Sequence, residues 1–160
     1  MLTNEQFTKY AETHMDTVYR VALNYLKNRA DADDITQNVL LKLYRTNKVF
    51  ENDAHLKHWL IRVTINECKQ ALLSIWRKIE PIDDYATTLA FETPEQSELF
   101  CMVMELPKKY RMVIYLYYFE DYSTEEISKL LKIPKSTVGT HLKRAREKIK
   151  TQLLEAKIYV

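Results

Sequence analysis

The sequence predicts an all-α chain built as two small helical domains joined by an acidic linker. Three observations carry this expectation. There is one glycine and there are four prolines in 160 residues, with abundant Leu, Lys, Glu and Tyr. Apolar residues recur at helical spacing, and no stretch of useful length alternates with the period of a strand. Charge is segregated: residues 1–78 hold 12 Lys/Arg and 9 Asp/Glu, residues 79–106 hold no Lys or Arg and seven acids, and residues 107–160 hold 12 Lys/Arg and six acids. These divisions place a first domain at 1–78, an acidic linker at 79–94 and a second domain at 95–160. Two basic blocks around an acidic strap suggest two modules that face nucleic acid and a connector that it repels.

Thr3 and Gln6 can open the first helix through a capping box, and Phe7, Tyr10, Val18, Tyr19, Ala22, Tyr25 and Leu26 continue its apolar stripe to about Asn28. Asp31 is the expected cap of the second helix, with Asp33 and Asp34 in a first turn that favours negative charge and Ile35, Val39, Leu40 and Leu43 facing inward. Thr46 to Asn52 reads as a loop. Asp53 is expected to cap a long third helix that runs to Lys78, with Leu56, Trp59, Leu60, Val63 and Leu72 on its buried side. These three helices suffice for a small core. Periodicity lapses between Pro81 and Pro94, and helices follow at Glu95–Glu105 and Lys108–Phe119. The second of these is apolar nearly all round from Val113 to Phe119, so it should be buried on more than one side.

The clearest chemistry lies between Ser123 and Lys150. Ser123 and Glu126 form a second capping box ahead of Ile127, Leu130 and Leu131, and Pro134 interrupts the helix that they begin. Ser136 is the expected cap of the next helix, in which Val138, Leu142, Ala145 and Ile149 form the apolar stripe. His141, Lys143, Arg144, Arg146, Lys148 and Lys150 occupy the rest of its surface. This is the layout of a helix-turn-helix, whose second helix enters the major groove of DNA. Taken without the cap and turn it also reads as a helical hairpin with a solvated basic face. Gly139, the sole glycine, sits in that second helix at a cost of about 1 kcal/mol relative to alanine. Either a side chain there would strike a phosphate or base edge, or the position is tolerant and the glycine neutral.

Several function classes are disfavoured. No apolar run spans a bilayer, and the first residues lack a basic-then-apolar signal peptide, which points to the cytoplasm. Cys68 and Cys101 have no paired metal spacing and read as reduced, packed thiols. His14, His55, His58 and His141 make no nucleophile or metal set with them, and a single glycine allows no glycine-rich phosphate loop. No catalytic residue, metal or cofactor is expected.

Ala32-Asp-Asp-Ile-Thr-Gln37, Trp59-Leu-Ile-Arg-Val-Thr-Ile-Asn66, Leu106-Pro107, Tyr122-Ser-Thr-Glu-Glu-Ile127, Thr137-Val138 and Arg144-Ala-Arg146, taken in this order, resemble the extracytoplasmic-function (ECF) group of bacterial RNA polymerase sigma factors, within the sigma-70 family. Ala32-Asp-Asp-Ile-Thr-Gln37 is similar to the region 2 signature Ala-Glu-Asp-Leu-Val-Gln, and Trp59-Leu-Ile-Arg-Val-Thr-Ile-Asn66 to its Trp-Leu-Tyr-Arg-Ile-Ala-x-Asn segment. Leu106-Pro107, Tyr122-Ser-Thr-Glu-Glu-Ile127, Thr137-Val138 and Arg144-Ala-Arg146 resemble region 4. Asn38 stands where an acidic residue is common, and Gly139 and His141 stand where relatives carry basic residues. Thr137-Val-Gly-Thr-His-Leu142 also resembles the recognition helix of LuxR-type regulators, so a duplex-binding regulator independent of polymerase is the rival reading.

The resemblance implies a transcription initiation factor without catalysis of its own. It implies that Asp33, Asp34, Gln37, Asn38 and Leu41 face the clamp helices of the polymerase β′ subunit, and that the second domain meets the β flap. Spacing alone puts Asp34 and Gln37 on one helical face, where they would otherwise read as a dipole charge and a solvated amide. By resemblance, the loop from Asn47 to Ala54 and the third helix hold the separated minus-10 strand through Trp59, Arg62, Asn66, Lys69, Trp76, Arg77 and Lys78. Trp59 is open to a second reading, as core. Minus-35 duplex would be read by Ser136, Thr137, Gly139, Thr140, His141, Lys143, Arg144, Arg146 and Lys148. An anti-sigma partner, membrane-linked in many relatives, is implied as well.

Overall fold

The computed structural model describes residues 1–73 and 94–158. Trp76, Arg77, Lys78 and the linker up to Thr93 lie outside the described residues, as does the expected end of the third helix. Among the described residues there are seven helices and no strand: α1 (Asn4–Leu26), α2 (Arg29–Arg45), α3 (Asp53–Ala71), α4 (Pro94–Met104), α5 (Lys108–Tyr118), α6 (Thr124–Leu131) and α7 (Lys135–Ile158). They fall into two compact units, Met1–Glu80 and Pro81–Val160. No helix among the described residues is long and apolar enough to cross a membrane.

In the first unit α1, α2 and α3 each pack on the other two. The Thr3–Gln6 capping box forms as expected, and Lys27 closes α1 in the left-handed region at φ 50°. Two expected caps are corrected. Asn28, not Asp31, caps α2: its backbone is extended, and its side-chain oxygen accepts the Asp31 amide at 2.9 Å. Asn52, not Asp53, caps α3 by accepting the His55 amide at 2.8 Å. In both places the acidic residue stands one or more positions inside the helix, where its charge still favours the dipole. α3 ends at Ala71, where the Leu72 and Leu73 amides bond back to Cys68 and Gln70. The core between the helices includes Val18, Leu23, Val39, Leu43, Leu56, Leu60, Ile61 and Ile65, all at most 1 % exposed.

In the second unit α5 is the central helix, in contact with α4, α6 and α7. Every residue from Tyr110 to Leu116 is buried, so the expected burial on more than one side holds for Val113–Leu116 but not for the end of the run, where Tyr117 and Phe119 are half-buried and Tyr118 is exposed. Arg111 is buried among them and donates to the Leu106 carbonyl at 3.1 Å. The Ser123–Glu126 capping box starts α6, and Lys132 ends it at φ 57°. Ser128 fixes the turn, with its hydroxyl donating to Ile133 O at 2.5 Å and its carbonyl accepting the Ile133 amide at 3.2 Å. α7 begins at Lys135, so Ser136 lies in the first turn and is not the cap. Pro134 stands at the N-cap, where its missing amide proton forfeits no helical hydrogen bond, and its carbonyl accepts the Val138 amide at 3.1 Å. Val138, Leu142, Ala145 and Ile149 are all buried, as the apolar stripe requires.

Candidate nucleic-acid interface

α2 turns one polar face to solvent. Asp33, Asp34, Gln37, Asn38 and Leu41 are all exposed, and at about 100° per residue they lie within one side of the helix. Leu41, 49 % exposed, is the apolar member of this face. Beside it, Asn38, Leu41, Lys42, Arg45, Thr46 and Glu67 line a shallow concavity between α2 and α3. Lys42 and Glu67 form an ion pair across it. A charged rim around one accessible leucine is the chemistry of a protein-docking face.

Arg62 and Asn66 are exposed on α3, and Lys69 is half-buried. With Trp59 these residues fall on a single stripe, within about 80° of one another around the helix. Trp59 is neither fully core nor free: it is partly exposed, and its ring meets Phe50 at 5.4 Å between centroids. Phe50 is the anchor of the loop. Its ring also meets His55 at 5.5 Å and Tyr10 at 6.5 Å, each edge to face, which links the loop to α1 and α3, and the Glu51 amide donates to His55 Nδ1 at 3.2 Å while Asn47 Oδ1 accepts from the N-terminal ammonium at 3.0 Å. The tip residues Asn47, Lys48 and Val49 remain exposed, Val49 to 84 %. His14, buried on α1, meets the Asp53 carboxylate through Nε2 at 2.7 Å and ties the start of α3 to α1. The stripe and loop tip together present an aromatic edge, an amide and cations, which are the groups that hold single-stranded nucleic acid.

Ser136, Gly139, Thr140, Lys143, Arg144 and Lys148 are exposed along α7, and Thr137 is half-buried beside them. A Cβ built on Gly139 meets nothing within 4 Å, and its φ is not positive, so the fold itself places no demand for glycine there. Two predicted members of this face are partly spent on packing against α5. Arg146 donates from Nε to the Tyr118 hydroxyl at 2.7 Å, and its guanidinium lies over the rings of Tyr117 and Tyr118 at 5.4 and 5.5 Å. His141 is half-buried with its ring edge-on to Tyr110 at 5.4 Å. Burial holds its pKa below the usual histidine range, helped by the positive charges of Lys109 and Arg144.

Sequence reasoning missed Phe50, Tyr110 and Tyr118. Phe50 lies in a loop with no periodicity, and both tyrosines lie on α5, outside the helix-turn-helix. Tyr110 has its phenol held below the ordinary value by a hydrogen bond with Arg144, against the opposing effect of burial. At the other end of the unit Leu99, Val103, Ile114, Phe119, Ile149 and Leu153 line an apolar groove between α4, α5 and α7.

Comparison with known proteins converges on one family. A profile described as sigma-70 region 2 matches residues 10–78, and one described as sigma-70, region 4, matches residues 96–149. The chain is 30% identical over 144 residues to RNA polymerase sigma factor SigV of Bacillus subtilis (strain 168), covering 88% of this chain and 86% of that protein. It is 30% identical over 137 residues to the ECF RNA polymerase sigma-E factor of Escherichia coli (strain K12), covering 74% and 72% of the two chains. The fold matches that of the sigma factor RpoE crystallised with the anti-sigma factor NepR from Bartonella quintana, with a TM-score of 0.68 at 18% identity, covering 93% of this chain and 97% of that one. CnrH in complex with the cytosolic domain of CnrY matches with a TM-score of 0.65 at 21% identity, covering 96% and 90%. With both regions matched in order, and with relatives at this identity over most of their length, the chain belongs to the sigma-70 family of RNA polymerase sigma factors, in its extracytoplasmic-function group.

Proposed function

We propose that this protein is a transcription initiation factor that binds the RNA polymerase core in the cytoplasm, brings it to particular promoters and opens them, without catalysing a reaction itself. Its domains in this reading are region 2 at residues 1–78, an acidic linker at 79–94 and region 4 at 95–160. The α2 face from Asp33 to Leu41 docks on the β′ clamp helices. Arg62, Asn66 and Lys69, with Trp59 at the edge of the Phe50 cluster, receive the separated minus-10 strand, and Trp76, Arg77 and Lys78 extend that contact. The exposed side of α7 reads the minus-35 duplex.

The observation that supports this reading most is the pairing of two separately folded units, each with its own exposed polar face, in region 2 then region 4 order. A regulator that acts without polymerase has no use for the region 2 face. The apolar groove of the second unit suits a protein partner, either the β flap or an anti-sigma factor, as NepR is to the similar sigma factor RpoE. Run-off transcription on a promoter library, using bacterial core polymerase with and without this protein, tests the reading. New start sites that depend on the protein are expected. Absence of both such starts and core binding would overturn it.

A further inference from the structure

Three cations gather around Tyr110. Tyr110 lies in the first turn of α5 and is 7 % exposed. Lys109 Nζ stands 5.0 Å from its ring centroid and Lys148 Nζ 5.9 Å, and the His141 ring is edge-on at 5.4 Å. Arg144 and Lys109 both lower the pKa of its phenol, Arg144 the more strongly. Among the described residues Lys109, Arg144 and Lys148 make no ion pair with a carboxylate. Collecting like charges costs free energy that an acidic neighbour would ordinarily offset. Here an aromatic ring offsets part of it, and the charges stay available to an outside partner.

Position on α7 says which partner. His141, Arg144 and Lys148 are spaced i, i+3 and i+7, so they form one flank of the helix beside its exposed centre. An α-helix with its side chains is about 10–12 Å across and fills a major groove about 12 Å wide, so its flanks lie level with the phosphates of the groove walls. On the opposite flank Arg146 is held by Tyr117 and Tyr118. We infer that Lys109 and Tyr110 complete, with Arg144 and Lys148, a seat for a single backbone phosphate of duplex DNA beside the recognition helix. The inference rests on the promoter-binding reading above. In this seat Tyr110 is a positioning residue: its ring lies under the Lys109 and Lys148 ammonium groups, and Lys109 brings a charge to the groove wall from outside the helix-turn-helix.

The test uses the full chain assembled with bacterial core polymerase on a duplex promoter selected by run-off transcription. Single phosphates of the upstream element are replaced in turn by uncharged methylphosphonate. Wild type should lose about tenfold in affinity at one phosphate or two adjacent ones, as a charge-assisted contact requires. Lys109→Gln should bind the unmodified promoter about tenfold more weakly, lower the salt slope by about 0.9 and become indifferent to methylphosphonate at that same position. Tyr110→Phe, which keeps the ring and loses the hydroxyl, should show a smaller loss at the same phosphate. If Lys109→Gln keeps the wild-type salt slope and phosphate sensitivity while remaining folded, the seat is wrong and the initiation-factor reading stands. If Lys109→Gln loses core binding without DNA, the cluster belongs to a polymerase contact and the inference fails. Wild type that shows no polymerase-dependent promoter binding would instead overturn the underlying reading.

Discussion

Replacing Gly139 by alanine separates what α7 needs as a helix from what it needs as a reader of DNA. The position is exposed, its φ is not positive, and an added Cβ meets nothing within 4 Å. The folded state therefore gains helix propensity without strain, by about 1 kcal/mol. For a unit of this size that is a rise of roughly 4–8 °C in the thermal midpoint of the transition to which α7 belongs. Promoter binding should move the other way. A methyl forced against a phosphate or base edge costs about 1–3 kcal/mol, or from about fivefold to about 150-fold in affinity. Calorimetry on the full chain reads the first change, and titration of the polymerase complex with promoter duplex reads the second. A lower midpoint would refute the helical geometry assigned to residue 139. A higher midpoint with unchanged promoter affinity would refute the DNA contact and leave the glycine as neutral drift.

Other outcomes follow from the same physical accounting. Lys132 ends α6 at φ 57°, where glycine is the unstrained choice, so Lys132→Gly should stabilise the second unit by about 0.5–1 kcal/mol in urea melts. Ser123→Ala removes the hydroxyl half of the α6 capping box and should cost about 1 kcal/mol in the same assay. Leu41→Asp should weaken core-polymerase binding at least about tenfold without lowering the melting temperature, because the side chain is exposed on the α2 face. Asn66→Ala should impair promoter opening more than polymerase binding, and equal losses would remove Asn66 from the strand-holding group. His141 has a pKa depressed in the folded state, so its contribution to stability is complete above the unfolded value of about 6.5 and is lost as pH falls through the folded pKa. A nearby phosphate favours the protonated ring, so promoter affinity should rise as pH is lowered from 8 towards 6.

Much of this molecule is readable locally. Both capping boxes, the apolar stripe of α7 and the burial of α5 follow from residues within a few turns of each other. The misplaced caps show where local reading fails. Around Asn28-Arg-Ala-Asp-Ala-Asp-Asp34 four side chains can cap a helix, and only the extended backbone at Asn28 selects one. Asn52 and Asp53 pose the same choice, settled partly by His14 engaging Asp53 from 39 residues away. The site residues divide likewise. The exposed members of α2, α3 and α7 lie on faces set by helical periodicity, whereas the roles of Phe50, Tyr110 and Tyr118 depend on contacts between elements. Arg146 and Tyr118 are 28 positions apart, a pairing with no sequence signature.

The single aromatic plug that holds the Thr46–Asn52 loop bears on how such a protein can change its target. Phe50 supplies the ring contacts to α1 and α3, while Lys48 and Val49 extend into solvent and contribute little to the core. Substitutions at Lys48 and Val49 thus remove little buried surface and carry almost no stability penalty. On the proposed reading, in which this loop meets the separated strand, recognition can be retargeted one residue at a time, by mutation or by design, on a bundle that need not be rebuilt for each new sequence.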